Sequence, residues 1–344
     1  MMDTPAWPHL WALLGALAPG VSLFVACAVD ARWGEPPMRW HPVVAMGKLL
    51  GAMGPRLCAL PPDAARLGGM LAWWLGALLS MAVALTLDIM LVAWLGQAWA
   101  GHEGAAPQVS DVVLAVGLRA VLLGGLLKPL MSWRMLRDEV AAVEHALAQS
   151  LQAGQQRLAR LVSRDVTQLD APQVRESAIE TLAENLNDSV VAPLMWFLLL
   201  GLPGAALYRW ANTADAMWGY RDHRAHMGWW SAKADDALSW LPARLTAALL
   251  CLAAGRWPGW ASMRTEAGRT PSPNGGWPMG TMALLLGVGL SKPGVYRLHP
   301  AGRTVQASDV PQALKWAHQA VWLGVALAAA LAALLHLLIA QAPH

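Results

Sequence analysis

Four acids stand four residues apart in ESAIETLAENLNDSVVAPL: Glu176, Glu180, Glu184 and Asp188. On an α-helix each four-residue step turns only about 40°, so the four share one slowly winding stripe. Like charges at that spacing repel and destabilise a helix by roughly a few tenths of a kcal/mol per pair. A long apolar run begins directly after the stripe. Carboxylates at a membrane boundary are costly unless they are paired or bind cations. A solvated face is a sufficient account of Glu176. For Glu184, Asn185 and Asp188 the position at the apolar edge favours ligation. Oxygen ligands on one face suit Mg2+, which binds through one or two carboxylates together with substrate phosphates.

Three further polar islands interrupt apolar sequence. Residues 212–246, NTADAMWGYRDHRAHMGWWSAKADDALSWLPARLT, offer Asn212, Asp215, Lys233, Asp235, Asp236 and Arg244. Paired acids beside Lys and Arg form either a neutralised structural network or a holder for metal and phosphate. Residues 29–48, VDARWGEPPMRWHPVVAMGK, place Asp30 at the end of an apolar run. Glu35, Arg39 and His41 follow among prolines, which implies a rigid, non-helical loop. A lone histidine in such a loop is more often a structural hydrogen-bonder than a base. Residues 272–280, SPNGGWPMG, carry Asn274 and glycines that permit close backbone approach to a ligand. No GK[ST] follows, and no GxGxxG follows a strand, so a nucleotide site here is neither a P-loop nor a Rossmann turn.

The elements that must position these residues are membrane helices. The chain of 344 residues is 56% hydrophobic and 14% charged, with a mean hydropathy of +0.38. Soluble domains carry about 25% charge. Apolar stretches of spanning length occur at about 10–29, 70–99, 110–131 and 316–340, with shorter or broken ones at 190–208, 241–254 and 279–290. The N-terminal run lacks a basic n-region and reads as a retained span. Loops 30–67 and 132–189 are rich in Arg and Lys, whereas the first nine residues, the 100–110 loop and the tail after 340 have none. The positive-inside rule therefore puts 30–67 and 132–189 in the cytoplasm and both termini outside. A full crossing at 190–208 would export Arg209, Arg221, Arg224 and Lys233. Pro193, Gly201, Pro203 and Gly204 break that run. It is therefore expected to re-enter as a helical hairpin packed in protein, and 241–254 reads the same way.

The expected architecture is all-α and polytopic. It has about four full transmembrane helices, one or two re-entrant or partial helices, and a cytoplasmic helical layer, all in one integrated domain over 1–344. In that layer Val140, Val143, Leu147, Leu151, Leu158 and Leu161 keep helical spacing, and Gly154 is expected to break the helix. A net charge of +3 without a basic block argues against nucleic acid. Cys27, Cys58 and Cys251 are scattered and give no disulfide or zinc pattern.

The stretches DARWGEPPMRWHPVVAMG, VSRDVTQL, ESAIETLAENLNDSVVAPL, NTADAMWGY, GWWSAKADDALSWLPARLT, SPNGGWPMG and HPAGRTV occur in this order. Together they resemble the CobD/CbiB family of cobalamin biosynthesis, the membrane-bound adenosylcobinamide-phosphate synthases, over most of the chain. AmpE-like membrane proteins share parts of the pattern, but the acid and Asn motifs are closer to the synthases. Ala214 stands where the family pattern has a bulkier apolar residue. The resemblance implies an ATP-dependent ligase of the bacterial inner membrane, with its active face in the cytoplasm. That enzyme joins adenosylcobyric acid to (R)-1-amino-2-propanol O-2-phosphate, or a close analogue, to give adenosylcobinamide phosphate.

The resemblance also implies ATP and Mg2+ as cofactors and the corrinoid as substrate, with other membrane-associated corrinoid enzymes as possible partners in the bilayer. Under it, Glu180, Glu184 and Asp188, with Asp215, Asp235 or Asp236, hold Mg2+. Arg164, Lys233 and Arg244 grip phosphates. Asn185, Asn212 and Asn274 orient substrate, with Asp30 as a further binding residue. One of the acids, or His41, takes the proton from the amine. The competing class is a transporter or an AmpE-like signalling component. A transporter also shows broken helices and midplane acids, but it does not need several phosphate-suited cations on one face.

Overall fold

A computed structural model describes residues 7–100 and 109–340. The expected exterior segments fall largely outside these: residues 1–6, 101–108 and 341–344 are not among the described residues. The helices are α1 (Trp7–Trp33), α2 (Pro42–Cys58), α3 (Pro62–Ala100), α4 (Val109–Leu127), α5 (Trp133–Leu147), α6 (Leu151–Leu158), α7 (Ala171–Leu186), α8 (Ala192–Trp218), α9 (Trp229–Ala254), α10 (Trp260–Ala267), α11 (Gly276–Leu286) and α12 (Asp309–Ala340). A short antiparallel hairpin, β1 (Leu290–Lys292) and β2 (Tyr296–Leu298), pairs Leu290 with Leu298.

Among the described residues, five helical stretches are long and apolar enough to cross a bilayer: Pro62–Leu95, Val113–Leu130, Ala171–Trp218, Trp229–Ala254 and Asp309–Leu334. The fold is that of an all-α polytopic membrane protein. On α3, Leu75, Leu78, Leu79, Ile89 and Met90 are exposed side by side, as lipid-facing residues are. Two expectations change. Helix α9 begins at Trp229, so Lys233, Asp235 and Asp236 lie on the same helix as the 241–254 run. The 279–290 run is split between α11 and β1. At 11 residues, α11 is only about 16 Å long, about half a hydrocarbon core.

The chain forms two compact units. Residues 1–131, 193–231 and 325–344 make one, and residues 132–192 and 232–324 make the other. In the first unit, small residues let helices approach closely. Gly76 of α3 lies against the Trp210 ring, and the Trp210 indole N–H donates to the Trp73 carbonyl at 2.9 Å. Gly124 of α4 lies against the backbone at Ser22 and the side chain of Val25 in α1. Within α8 the backbone breaks at Gly201, with φ 65° and ψ −158°. Gly204 then packs on the carbonyl of Trp196, eight residues earlier. On an unbroken helix these would be about 12 Å apart, so the chain folds back sharply here.

In the second unit α5 buries Trp133, Leu136, Val140, Val143 and Leu147 along one stripe. The helical layer does not break at Gly154. It breaks after Leu147, and Ser150 caps α6 by accepting from the Ala153 N–H at 3.1 Å. Gly154 lies inside α6, where its missing side chain leaves room for Leu147. It is a packing glycine, not a breaker.

Candidate functional site

In the second unit a capping box starts α7. Asp170 accepts from the Gln173 N–H, and the Gln173 side chain accepts from the Asp170 N–H, both at 2.9 Å. The helix that follows carries the acid stripe, and each acid meets a different answer. Glu176 accepts from the hydroxyl of Ser291 on β1. Glu180 is buried at 4% exposure and accepts from the Arg164 guanidinium at 3.3 Å. Glu184 is exposed, and its carboxylate lies against the backbone of Gly275, at the N-terminus of α11. The positive end of a helix dipole favours an anion there. Asp188 accepts from the Asn187 amide at 2.7 Å, inside a π-helical turn over Asn187–Val191. Such turns frequently mark functional sites.

A pocket of about 170 Å3 opens beside the middle of the stripe, lined by Arg164, Glu180, Glu184, Asn185, Lys292 and Tyr296 among others. Three elements position these groups. Helix α7 supplies the acids and Asn185. The loop before it supplies Arg164, and the β-hairpin supplies Lys292 and Tyr296. The loop is fixed by the Gln155 amide, which donates to the Thr167 and Leu169 carbonyls at 3.1 and 2.8 Å. It is fixed again by Asp165, which accepts from the Thr167 N–H at 2.9 Å. The hairpin turn is built by Pro293 and by Gly294 at φ 74°, with the Val295 N–H donating to the Lys292 carbonyl at 2.9 Å. Burial, then the charges of Glu180 and Glu184, push the Tyr296 phenol far above its ordinary value, so it stays neutral beside the acids. Two buried polar atoms on the lining side chains lack a hydrogen-bond partner: Glu180 Oε1 and Arg164 Nε.

The other predicted residues of this unit do different work. The Arg244 guanidinium stacks on Trp240 and Trp277, 4.3 and 4.7 Å from their ring centroids, and donates to Asn274 Oδ1 at 3.1 Å. The Asn274 amide donates in turn to the Asp236 carbonyl at 2.7 Å. Arg244 and Asn274 thus fix the 272–276 loop against α9. Lys233 is exposed, and Asp235 and Asp236 are half-buried. Among the described residues no three His, Cys, Asp or Glu side chains gather closely enough to hold a metal alone.

In the first unit the 34–41 loop is held by a buried charge network. The Lys128 ammonium lies 3.0 Å from Asp30 and 2.9 Å from Glu35, with Asp30 fully buried. His41 accepts the Val43 N–H on Nδ1 at 3.3 Å, capping α2, and its Nε2 meets Glu35 at 3.1 Å. Both ring nitrogens are committed, so this geometry gives His41 a structural task in place of the expected base. Burial alone would raise the Glu35 carboxyl. The bonds from His41 and Lys128 outweigh it and hold that carboxyl below its ordinary value. Asn212 accepts from the buried Arg209 at 3.3 Å, and Arg209 also donates twice to the Leu130 carbonyl. The Asp215 carboxylate lies over Gly219.

Sequence reasoning missed Lys292, Tyr296 and Lys128. The SKPG turn directly after an apolar run marks Lys292, and a lone Lys inside an apolar run marks Lys128.

The fold and this pocket define a polytopic helical membrane protein with a polar site of paired acids and cations. The sequence profile described as CobD/Cbib protein matches residues 23–339, and the chain belongs to that family. It is 37% identical to the cobalamin biosynthesis protein CobD of Chromobacterium violaceum, over 90% of this chain and 96% of that one. It is 38% identical to the probable cobalamin biosynthesis protein CobD of Methanothermobacter thermautotrophicus, over 80% and 85%. It is 34% identical to the cobalamin biosynthesis protein CobD of Brucella suis, over 91% and 98%. No solved structure matches.

Proposed function

We propose that this chain acts in cobalamin biosynthesis as an ATP-dependent acid–amine ligase. It would join adenosylcobyric acid to (R)-1-amino-2-propanol O-2-phosphate, or a close analogue, at the cytoplasmic face of the membrane. The observation that carries this reading is the pocket on α7, where two carboxylates, Glu180 and Glu184, and two cations, Arg164 and Lys292, stand together. The names of the family relatives support the pathway.

A carboxylate is a poor acyl donor, and bound ATP with Mg2+ would supply its activation. The chain offers no closed metal cage among the described residues. Asp188, one turn further along the stripe than Glu184, suits an ion that takes one or two carboxylates plus phosphate oxygens. Arg164 and Lys292 suit phosphate oxygens as charge-assisted donors. Glu184, exposed in the pocket, is the group we assign to take the proton from the attacking amine.

The test is product formation by the purified chain in detergent, followed by mass spectrometry as ATP, amine and corrinoid are omitted in turn. Product that needs all three supports a ligase. Substrate flux in vesicles without product would favour the transporter.

A further inference from the structure

We propose that the groove between α2, α3, α4 and α8 in the first unit is a site for one anionic phospholipid, with an acyl chain lying in the groove and the phosphate meeting Arg39 and Lys48 beside it. This cavity takes no part in the proposed ligation.

The groove has a volume of about 490 Å3, within the roughly 300–1,000 Å3 of ordinary ligand sites. Among the described residues that line it none is charged, and Ser80 carries the one hydroxyl. The Trp210 indole N–H, also in the lining, already donates to the Trp73 carbonyl. A held water needs about two to four polar partners, so this lining favours hydrocarbon. Leu79, Val83 and Leu87 line the groove at four-residue spacing on α3, and all three are exposed. The stripe they make is about 12 Å long, most of the roughly 15 Å depth of one leaflet's hydrocarbon. Gly125 of α4 lines the groove too, and a side chain added there would meet nothing within 4 Å. The space is therefore elongated, apolar and open on the face of a membrane helix, which is the shape of an acyl chain.

Charge selects the headgroup. Trp40 lines the groove and is 74% exposed, as an aromatic anchor at headgroup level is. The Arg39 guanidinium lies 5.9 Å from the centre of its ring. On α2, Lys48 stands three residues after Ala45 and next to Leu49, both of which line the groove, and residues three apart on a helix are neighbours. Arg39 and Lys48 are exposed, and neither has a carboxylate partner among the described residues. Glu35, the acid nearest Arg39 in sequence, is engaged by Lys128 and His41. Two cations without a counter-charge beside a hydrocarbon slot match a molecule that carries a phosphate ester and an acyl chain. Each such cation strengthens attachment to anionic lipid by about fivefold.

The experiment is native mass spectrometry of the full chain released from detergent. The probes are dioleoyl phosphatidylglycerol, dioleoyl phosphatidylcholine and glycerol phosphate, each added separately. We expect one phosphatidylglycerol to be retained per chain, about tenfold or more above phosphatidylcholine, with no retention of the bare headgroup phosphate. Arg39→Ala with Lys48→Ala should lower phosphatidylglycerol to the phosphatidylcholine level, and Arg39→Lys with Lys48→Arg should keep it. Gly125→Leu fills the groove and should remove the retained lipid, whereas Gly125→Ala should not. Arg160→Ala, an exposed cation of the second unit, should change nothing. Gel filtration and the unfolding midpoint check that the Gly125 and cation variants stay folded. Equal retention of the two lipids, or none of either, would overturn the proposal. So would undiminished phosphatidylglycerol in Gly125→Leu, which would place the lipid outside the groove. A lipid-free dimer that Gly125→Leu dissociates would overturn it too, and would give the groove to a second copy of the chain.

Discussion

The carboxylates of α7 show what a side-chain pattern discloses and what it hides. Their spacing was readable, and so was their conflict with the apolar edge. Their partners were not, because Ser291 lies 115 residues beyond Glu176 in sequence and Lys292 beside it looks like an ordinary turn residue. The same holds for Asp30, whose cation Lys128 reads as part of a span. Breaking that buried pair leaves an uncompensated charge, which typically costs about 3–5 kcal/mol. Lys128→Met should therefore lower the thermal unfolding midpoint in detergent markedly, while exposed Lys48→Met should not. Glu35 adds a pH dependence. Its carboxyl is held below the ordinary 4.5 when folded. It therefore contributes stability above that value, and the contribution is lost as pH falls through the folded value. Unfolding midpoints followed below pH 5 should drop more steeply in the wild type than in Glu35→Gln. Equal slopes would remove Glu35 from the account.

Helices were legible where composition decides them and illegible where one residue does. The runs at 70–99, 110–131 and 316–340 appear as α3, α4 and α12 because long apolar sequence leaves few other choices. The break in 190–208 was expected from its prolines and glycines, and the backbone turns at Gly201. Gly154, by contrast, reads as a breaker and serves as a packing surface, since propensity cannot see the Leu147 opposite. The Gly201 conformation is nearly confined to glycine and strains other residues by about 1–3 kcal/mol. Gly201→Ala should destabilise the protein by that order, whereas Gly268→Ala, at φ −70° with only ordinary contacts, should be close to neutral. Scanning fluorimetry distinguishes the two. Gly76→Ala should cost about as much through overpacking against Trp210, and a neutral result would mean that α3 shifts freely.

For the molecule as a whole, composition was enough to define a multi-pass helical protein, and ordered motifs were enough to suggest its family. The division into two units was hidden, because both are assembled from separated stretches and no linker marks a boundary. The topology we propose puts residues 34–41 and 219–228 in the cytoplasm. Single cysteines at the exposed Met38 and His223, in a chain with Cys27, Cys58 and Cys251 replaced by Ala, should react with an impermeant maleimide only after the membrane is opened. Labelling of intact spheroplasts at His223 would mean that the 190–208 segment crosses. The central claim is that the pocket on α7 is the centre of an amide ligase. The most direct measurement is mass-spectrometric detection of adenosylcobinamide phosphate from adenosylcobyric acid, aminopropanol phosphate, ATP and Mg2+, with wild type beside Glu184→Gln. The account predicts product from wild type and a loss of about a hundredfold or more in the folded variant, the usual scale for a lost general base. Undiminished turnover by Glu184→Gln would contradict it.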